Sequence, residues 1–355
     1  MKRRQFLASG LTVAALQKTA AAKSLLAASG LKQARLGICT FSCNLQWQSV
    51  RAKQTGTAFT DALSFLEYTR SLGAEGVQTS VRNLDEAAIK SFRSRIDETA
   101  VYYEGDVRLP NSKADLPEFQ REIRQCRDAG AIVARCVLLN GRRYETFQSL
   151  EQFREFRKQA SLRLALVEPS LKKCGVRLAV ENHKDLTTDE FLELLREFSS
   201  EWIGVNVDTG NNLALLEEPY STIEALAPFA LSVHLKDMAL QPDPNGFLLS
   251  EVPCGTGFLD MPRIIGTLLK SNPEIRFSLE MATRDPLLVP CLTETYWTTF
   301  PDRRATHLES ALARVTEHPP KQPPPSIAGK SSSVQLAEEE SNNRTSFNWL
   351  HGHME

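Results

Sequence analysis

Four short segments in the second half of the 355-residue chain carry the residues best suited to chemistry: VENH at 180–183, VDTGN at 207–211, HLKD at 234–237 and SLEM at 278–281. Each follows or closes an alternating apolar run, so each reads as the end of a β-strand. Parity then sorts the side chains. Leu178 and Val180, Val205 and Val207, Val233 and Leu235, and Phe277 and Leu279 fall on one face. On the other, Ala179, Asn206, Ser232 and Ser278 are followed two positions later by Glu181, Asp208, His234 and Glu280. On neighbouring strands, three carboxylates and one imidazole would then meet at one height. Carboxylates so placed raise one another's pKa and oppose folding unless a cation sits among them. One divalent metal resolves the conflict, and an oxygen-rich donor set with a single imidazole suits Mn²⁺, Mg²⁺ or Co²⁺ while admitting Zn²⁺. A single such residue would read as a loop cap or ion-pair partner; four in step point to a metal site.

The elements that must position them alternate. Strands are expected at 36–41, 76–79, 101–105, 132–138, 177–181, 203–208, 231–234 and 276–280, with amphipathic helices at 59–72, 115–129, 150–173, 188–198 and 261–269. Gly73, Gly130 and Gly175 stand where helices would stop. Eight βα units over residues 34–318 predict a single-domain (β/α)8 TIM barrel, whose active sites lie at the C-terminal ends of the strands. An open doubly wound sheet is the alternative, and the lack of G-x-G-x-x-G after the first strand counts against it for a dinucleotide enzyme.

The order Glu, Asp, His, Glu on strands five to eight resembles the xylose isomerase-like TIM barrels, a superfamily that includes sugar phosphate isomerases and epimerases. The likeness covers about residues 34–318. It implies that Glu181, Asp208, His234 and Glu280 hold one divalent metal. It also implies an isomerase or epimerase of carbohydrate metabolism, in which proton transfer through an enediolate on a ketose or related polyol uses Glu181 and Glu280 as base and acid. The same intermediate can expel a β-leaving group, so a metal-dependent lyase or dehydratase acting on keto-sugars or keto-glycosides is the alternative. Beside these residues, His183 is expected to bind a substrate hydroxyl. Lys236 is expected to neutralise developing charge or to pair with Asp237, and Arg142, Arg143 and Arg284 to reach polar substrate groups. Where relatives carry a substrate-contacting glutamate near strand two this chain has Gln78, and no arginine follows His234 in MALQPDPNG. The Gly255–Asp260 segment, similar to the family's turn before helix seven, reads first as a turn and helix cap. Trp47, Tyr144, Tyr296 and Trp297 are candidates for stacking on a sugar or for local packing.

The two ends differ in composition from the rest. Lys2, Arg3 and Arg4, then Phe6-Leu7 and an acid-free Ala/Leu/Val-rich stretch, predict a twin-arginine signal peptide over residues 1–30, with A-x-A cleavage sites near Ala22 and Ala27. The expected partner is the twin-arginine export machinery, and the expected location is the periplasm. Beyond Pro319 the Pro- and Ser-rich, highly charged composition predicts a disordered tail over 319–355, so that residues 32–318 would fold alone. A net charge of −1 argues against nucleic acid, as does a domain with few histidines for the three-metal site of the endonuclease branch. No apolar run beyond the leader is long enough to span a membrane. The seven cysteines lack C-x-x-C spacing and are expected to be free thiols. An oligomer is compatible with all of this, and nothing in the chain locates its interface.

Overall fold

The computed structural model describes residues 35–300 and 304–354. The leader therefore lies outside the described residues. Within them, β1 (Leu36–Cys39), β2 (Gly76–Thr79), β3 (Tyr102–Asp106), β4 (Val133–Cys136), β5 (Arg177–Glu181), β6 (Ile203–Asp208), β7 (Ala230–Leu235) and β10 (Phe277–Leu279) form a closed parallel barrel. Each pairs with its sequence neighbour, and β1 closes the ring against β10 through Leu36 and Phe277. Helices follow the strands, and their boundaries have local causes. Residues Thr188–Phe198 start at a capping box in which Thr187 and Glu190 serve each other's backbone N–H. The long helix Leu150–Cys174 starts on the Ser149 hydroxyl and stops at Gly175, whose φ of +68° suits glycine.

The apolar face expected from parity is the outer one. Leu178, Val180, Val205, Val207, Val233, Leu235, Phe277 and Leu279 are all fully buried between strands and helices in one continuous core. The inner face is polar. Near its base, Tyr102 fills the space beside the Cα atoms of Gly37 and Gly76 and donates to the Phe277 carbonyl at 2.8 Å. Any side chain at Gly76 would collide with that ring, so a large residue on β3 is matched by none on β1 and β2.

Two features beyond the eight expected βα units matter for the site. MALQPDPNG lies in a second, smaller sheet: β8 (Asp237–Asp243) and β9 (Gly246–Val252) form an antiparallel hairpin, and β11 (Leu287–Val289) joins it as a third strand. Asp243-Pro244-Asn245-Gly246 is the turn, with Gly246 at φ +151°.

The closing segment, expected to be disordered, instead folds as the helix Ser332–His351 against the barrel. Its buried residues are Glu339, Asn343, Ser346, Phe347 and Leu350, a helical stripe in which three of five members are polar. Periodicity in apolar residues alone therefore misses it. Glu339 accepts from the backbone N–H of Leu45 and Gln46 at 2.7 and 3.1 Å, a buried carboxyl that satisfies the first turn of the helix Asn44–Arg51. Asn343 donates to the Ser42 carbonyl, and the Cys254 N–H donates to Ser346. A boundary at 318 would cut off this helix and bare the apolar seat of Phe347 and Leu350, so residues 32–318 are not a complete folding unit.

Candidate functional site

Glu181 at the end of β5, Asp208 at the end of β6, His234 on β7 and Glu280 just beyond β10 converge, with one potential ligand atom from each lying within 4.8 Å of the others. They do not share one register. Asp208 pairs with His234, but Glu181 pairs with Asn206 and Ser278 with His234. The stagger of a closed barrel brings side chains from different rungs to one point. His234 Nδ1 lies 2.5 Å from Glu280 Oε2, 3.3 Å from Glu181 Oε2 and 3.9 Å from Asp208 Oδ2.

The opposite ring nitrogen is fixed from the first half of the barrel. Gln78 on β2 donates its amide N–H to Glu104 on β3 at 3.0 Å and to Ser232 at 3.3 Å. Its carbonyl therefore faces His234 Nε2, at 2.6 Å, and accepts a hydrogen bond from that nitrogen's N–H. Nδ1 is left aimed at three carboxylates. Nδ1 and Asp208 Oδ2 are shut off from solvent without an aligned hydrogen bond. Burial pulls the imidazole pKa down, but Glu280 and Glu181 outweigh it and raise it to about 9. One imidazole nitrogen and three carboxylate oxygens this close together, with the other ring nitrogen held by Gln78, form a donor set that fits a divalent cation. Gln78, seen in the sequence only as a departure from the family pattern, is thus the residue that orients His234.

Two cations beside the cluster offset part of its charge. Arg135 on β4 donates to Glu181 Oε2 at 2.7 Å through Nε and to Asp106 at 3.2 Å. Burial would raise the Glu181 carboxyl, yet Arg135 and His234 hold it well below the usual range. Lys236 is fully buried and bridges Asp208 Oδ2 and Glu280 Oε1, both at 2.8 Å, with Glu251 of β9 at 3.7 Å. The expected pairing with Asp237 does not occur. Asp237 instead accepts the backbone N–H groups of Gly255, Gly257 and Leu259, which confirms the Gly255–Asp260 segment as a turn. Asp260 then caps the next helix at Arg263.

Above the cluster opens a cavity of about 440 Å³. Glu181, His234 and Glu280 line it, whereas Asp208 and Lys236 are not part of its wall. His183 lines it, with Nδ1 buried and unpartnered; burial and the neighbouring Lys184 push its pKa down to about 3, so the ring is neutral. Arg142 and Arg284 also line it, but each is held by a carboxylate: Arg142 by Glu145 at 2.5 Å, Arg284 by both oxygens of Glu251. Arg143 does not reach the cavity. It is buried, donates to Thr299 and Glu190, and lies between the rings of Phe153 and Phe300.

Trp47, Tyr144, Tyr296 and Trp297 pack in aromatic clusters away from the cavity lining. The aromatic residue at the mouth is Phe41. Among the cysteines, all of them free thiols, Cys39 has a place in the site: it lines the cavity with Sγ 3.8 Å from Glu280 Oε2. Burial and Glu280 raise its pKa well above normal, so it is a thiol. Arg135, Glu104, Lys184 and Glu251 were not singled out in the sequence. The signal for two of them was there: Arg135 is a lone charge in AIVARCVLL, and Glu104 interrupts VYYEGDV.

Known proteins agree with this architecture. A 3-oxo-isoapionate decarboxylase of Pectobacterium atrosepticum is 29% identical over 119 residues, 33% of this chain and 43% of the relative. The chain spans about half the length, or less, of the curated relatives it matches. A D-psicose 3-epimerase from Clostridium cellulolyticum H10 superposes with a TM-score of 0.60 at 10% identity, covering 90% of this chain and 99% of that one. A xylose isomerase-like TIM barrel protein from Mycobacterium smegmatis in complex with magnesium gives 0.55 at 15% identity, covering 79% and 98%. Residues 66–304 match the profile described as xylose isomerase-like TIM barrel, and the chain belongs to that family.

Proposed function

We propose that the protein is a divalent-metal-dependent isomerase or epimerase that moves a proton through an enediolate on a ketose or related polyol. The observation that carries this reading is the division of labour among the four donors: all four converge, yet only Glu181, His234 and Glu280 face the cavity. Substrate there meets two carboxylates, and Asp208 is left to hold the metal without lining the cavity. A dication at these donors supplies a Lewis acid that polarises adjacent substrate oxygens. The chain's own residues do the rest. Glu181 Oε2 is tied to Arg135 and its Oε1 accepts from Asn211 at 3.1 Å, while Glu280 Oε1 is tied to Lys236. Both carboxylates are thereby held in fixed positions, one to take the proton from carbon and the other to return it. His183, neutral, offers a ring N–H to a substrate hydroxyl. The oxygen-rich donors favour Mg²⁺, Mn²⁺ or Co²⁺, and a structural relative that holds magnesium supports the first of these. Delivery of the enzyme to the periplasm through the Arg3-Arg4 leader is part of this proposal, and cell fractionation of the full chain checks it.

Proton exchange tests the reading. Incubation with ketoses and Mg²⁺ or Mn²⁺ in D₂O is expected to place deuterium on carbon beside the carbonyl. Glu181→Gln and Glu280→Gln should each slow that exchange by about 10²–10⁴-fold. Undiminished exchange in the double variant would contradict it. The decarboxylase relative favours a second outcome, a lyase reaction at the same residues: either the enediolate of a keto-sugar or keto-glycoside expels a β-leaving group, or a 3-oxo sugar acid breaks its C–C bond to release CO₂ and leave an enolate that is then protonated. Mass spectrometry separates the two, because a cleaved or dehydrated product lacks the mass of its substrate.

A further inference from the structure

Five cations surround the site, and they are not equivalent. Arg135, Arg142, Arg284 and Lys236 each have a carboxylate within ion-pair distance. Lys184 has none among the described residues; its ammonium donates to the side-chain oxygen of Asn211. It is 4% exposed and lines the same cavity as Glu181, His183 and Glu280. Burial, then Lys236 and Arg284, lower its pKa to about 8, which leaves it mostly charged at neutral pH. Among the described residues, two of its three N–H donors have no acceptor, an arrangement that an arriving anion relieves.

The pairing of charges points the same way. The other four cations are already matched to carboxylates, so Lys184 is the cation of this cavity left to meet an incoming anion. A sugar phosphate carries nearly two negative charges, more than a single uncommitted ammonium offsets. One carboxylate matches both the charge and the donor count.

Resting on the metal-dependent reading above, we propose that the substrate is a sugar acid whose carboxylate is bound by Lys184, while its carbonyl end lies over Glu181 and Glu280. Lys184 is on this account a specificity-determining residue. A neutral ketose would leave its ammonium uncompensated.

The test is direct binding to the full chain loaded with Mg²⁺ or Mn²⁺, using D-gluconate, D-glucitol and D-glucitol 6-phosphate as probes of one carbon skeleton. Gluconate is expected to bind at least about tenfold more tightly than glucitol, the scale of one charge-assisted hydrogen bond. Lys184→Gln should bring gluconate down to the level of glucitol, and Lys184→Arg should keep the preference. Equal affinities in the wild type, tightest binding of the phosphate, or a preference that survives Lys184→Gln would each overturn the inference. The wild-type comparison decides even where a variant does not fold. Metal titration of the same samples keeps the two claims apart. Absence of bound metal defeats the proposed function, whereas bound metal without a preference for gluconate defeats the role of Lys184 alone.

Discussion

Strands β5, β6, β7 and β10 carry Glu181, Asp208, His234 and Glu280 at or just beyond their C-terminal ends, and strands β1 to β4 place Cys39, Gln78, Glu104 and Arg135 on the inner face of the barrel. The two halves of the barrel thus carry different kinds of residue. The second half carries groups that a metal or a substrate proton can use. The first half carries groups that act on those: Gln78 fixes the histidine, Glu104 fixes Gln78, and Arg135 holds Glu181 ionised. A donor set becomes a site only when its charges and tautomers are set from outside, and here the outside is the first half of the barrel.

That comparison can be broken at Gln78. Replacement by Leu should leave the four donors in place but free the imidazole to rotate and to carry its proton on Nδ1. Metal affinity measured against a competing chelator should fall by about 10–100-fold. Gln78→Glu, which keeps an acceptor for Nε2–H, should lose much less. Equal affinity in Gln78→Leu would mean that the first half merely fills space.

A smaller effect concerns how the first half is anchored. Glu339 of the closing helix is buried on the N-terminal turn that follows β1, and burial raises its carboxyl to about 7 in spite of two backbone N–H bonds. Its folded pKa lies above its unfolded one. The folded state therefore holds the proton more tightly, and the stability this contributes at low pH is lost as pH rises from about 4.5 through about 7. Urea unfolding at pH 5 and pH 8 should show a pH-dependent loss in the wild type that is smaller in Glu339→Gln by about 1–3 kcal/mol. Identical pH slopes would assign the raised pKa no part in docking the helix.

The same asymmetry explains what could be read before folding. The donors were legible because each closes an alternating strand, where parity gives direction and position gives height. Eight strands were found within a few residues, since apolar alternation marks them. The partners were not legible as partners. Nothing local in Gln78 says that it faces His234, 156 residues away, and Lys184 follows Glu181 in sequence but lies in a loop where parity has no meaning. The hairpin that brings Glu251 under Arg284 was passed over even though Pro-Asn-Gly marks its turn. The closing helix was missed for a different reason: its buried stripe is built largely of Glu339, Asn343 and Ser346, which seat on backbone groups instead of on apolar side chains.

The most direct test of the account is a titration of the full chain with Mg²⁺ and Mn²⁺, wild type beside Asp208→Ala, with circular dichroism to confirm that both are folded. Asp208 belongs to the cluster but does not line the cavity, so its loss should remove the metal and leave the cavity lining in place. About one ion per wild-type chain, with affinity lost in Asp208→Ala, is the predicted result. No binding by the wild type, or equal binding by a folded Asp208→Ala, would contradict the claim that these four residues form a metal centre.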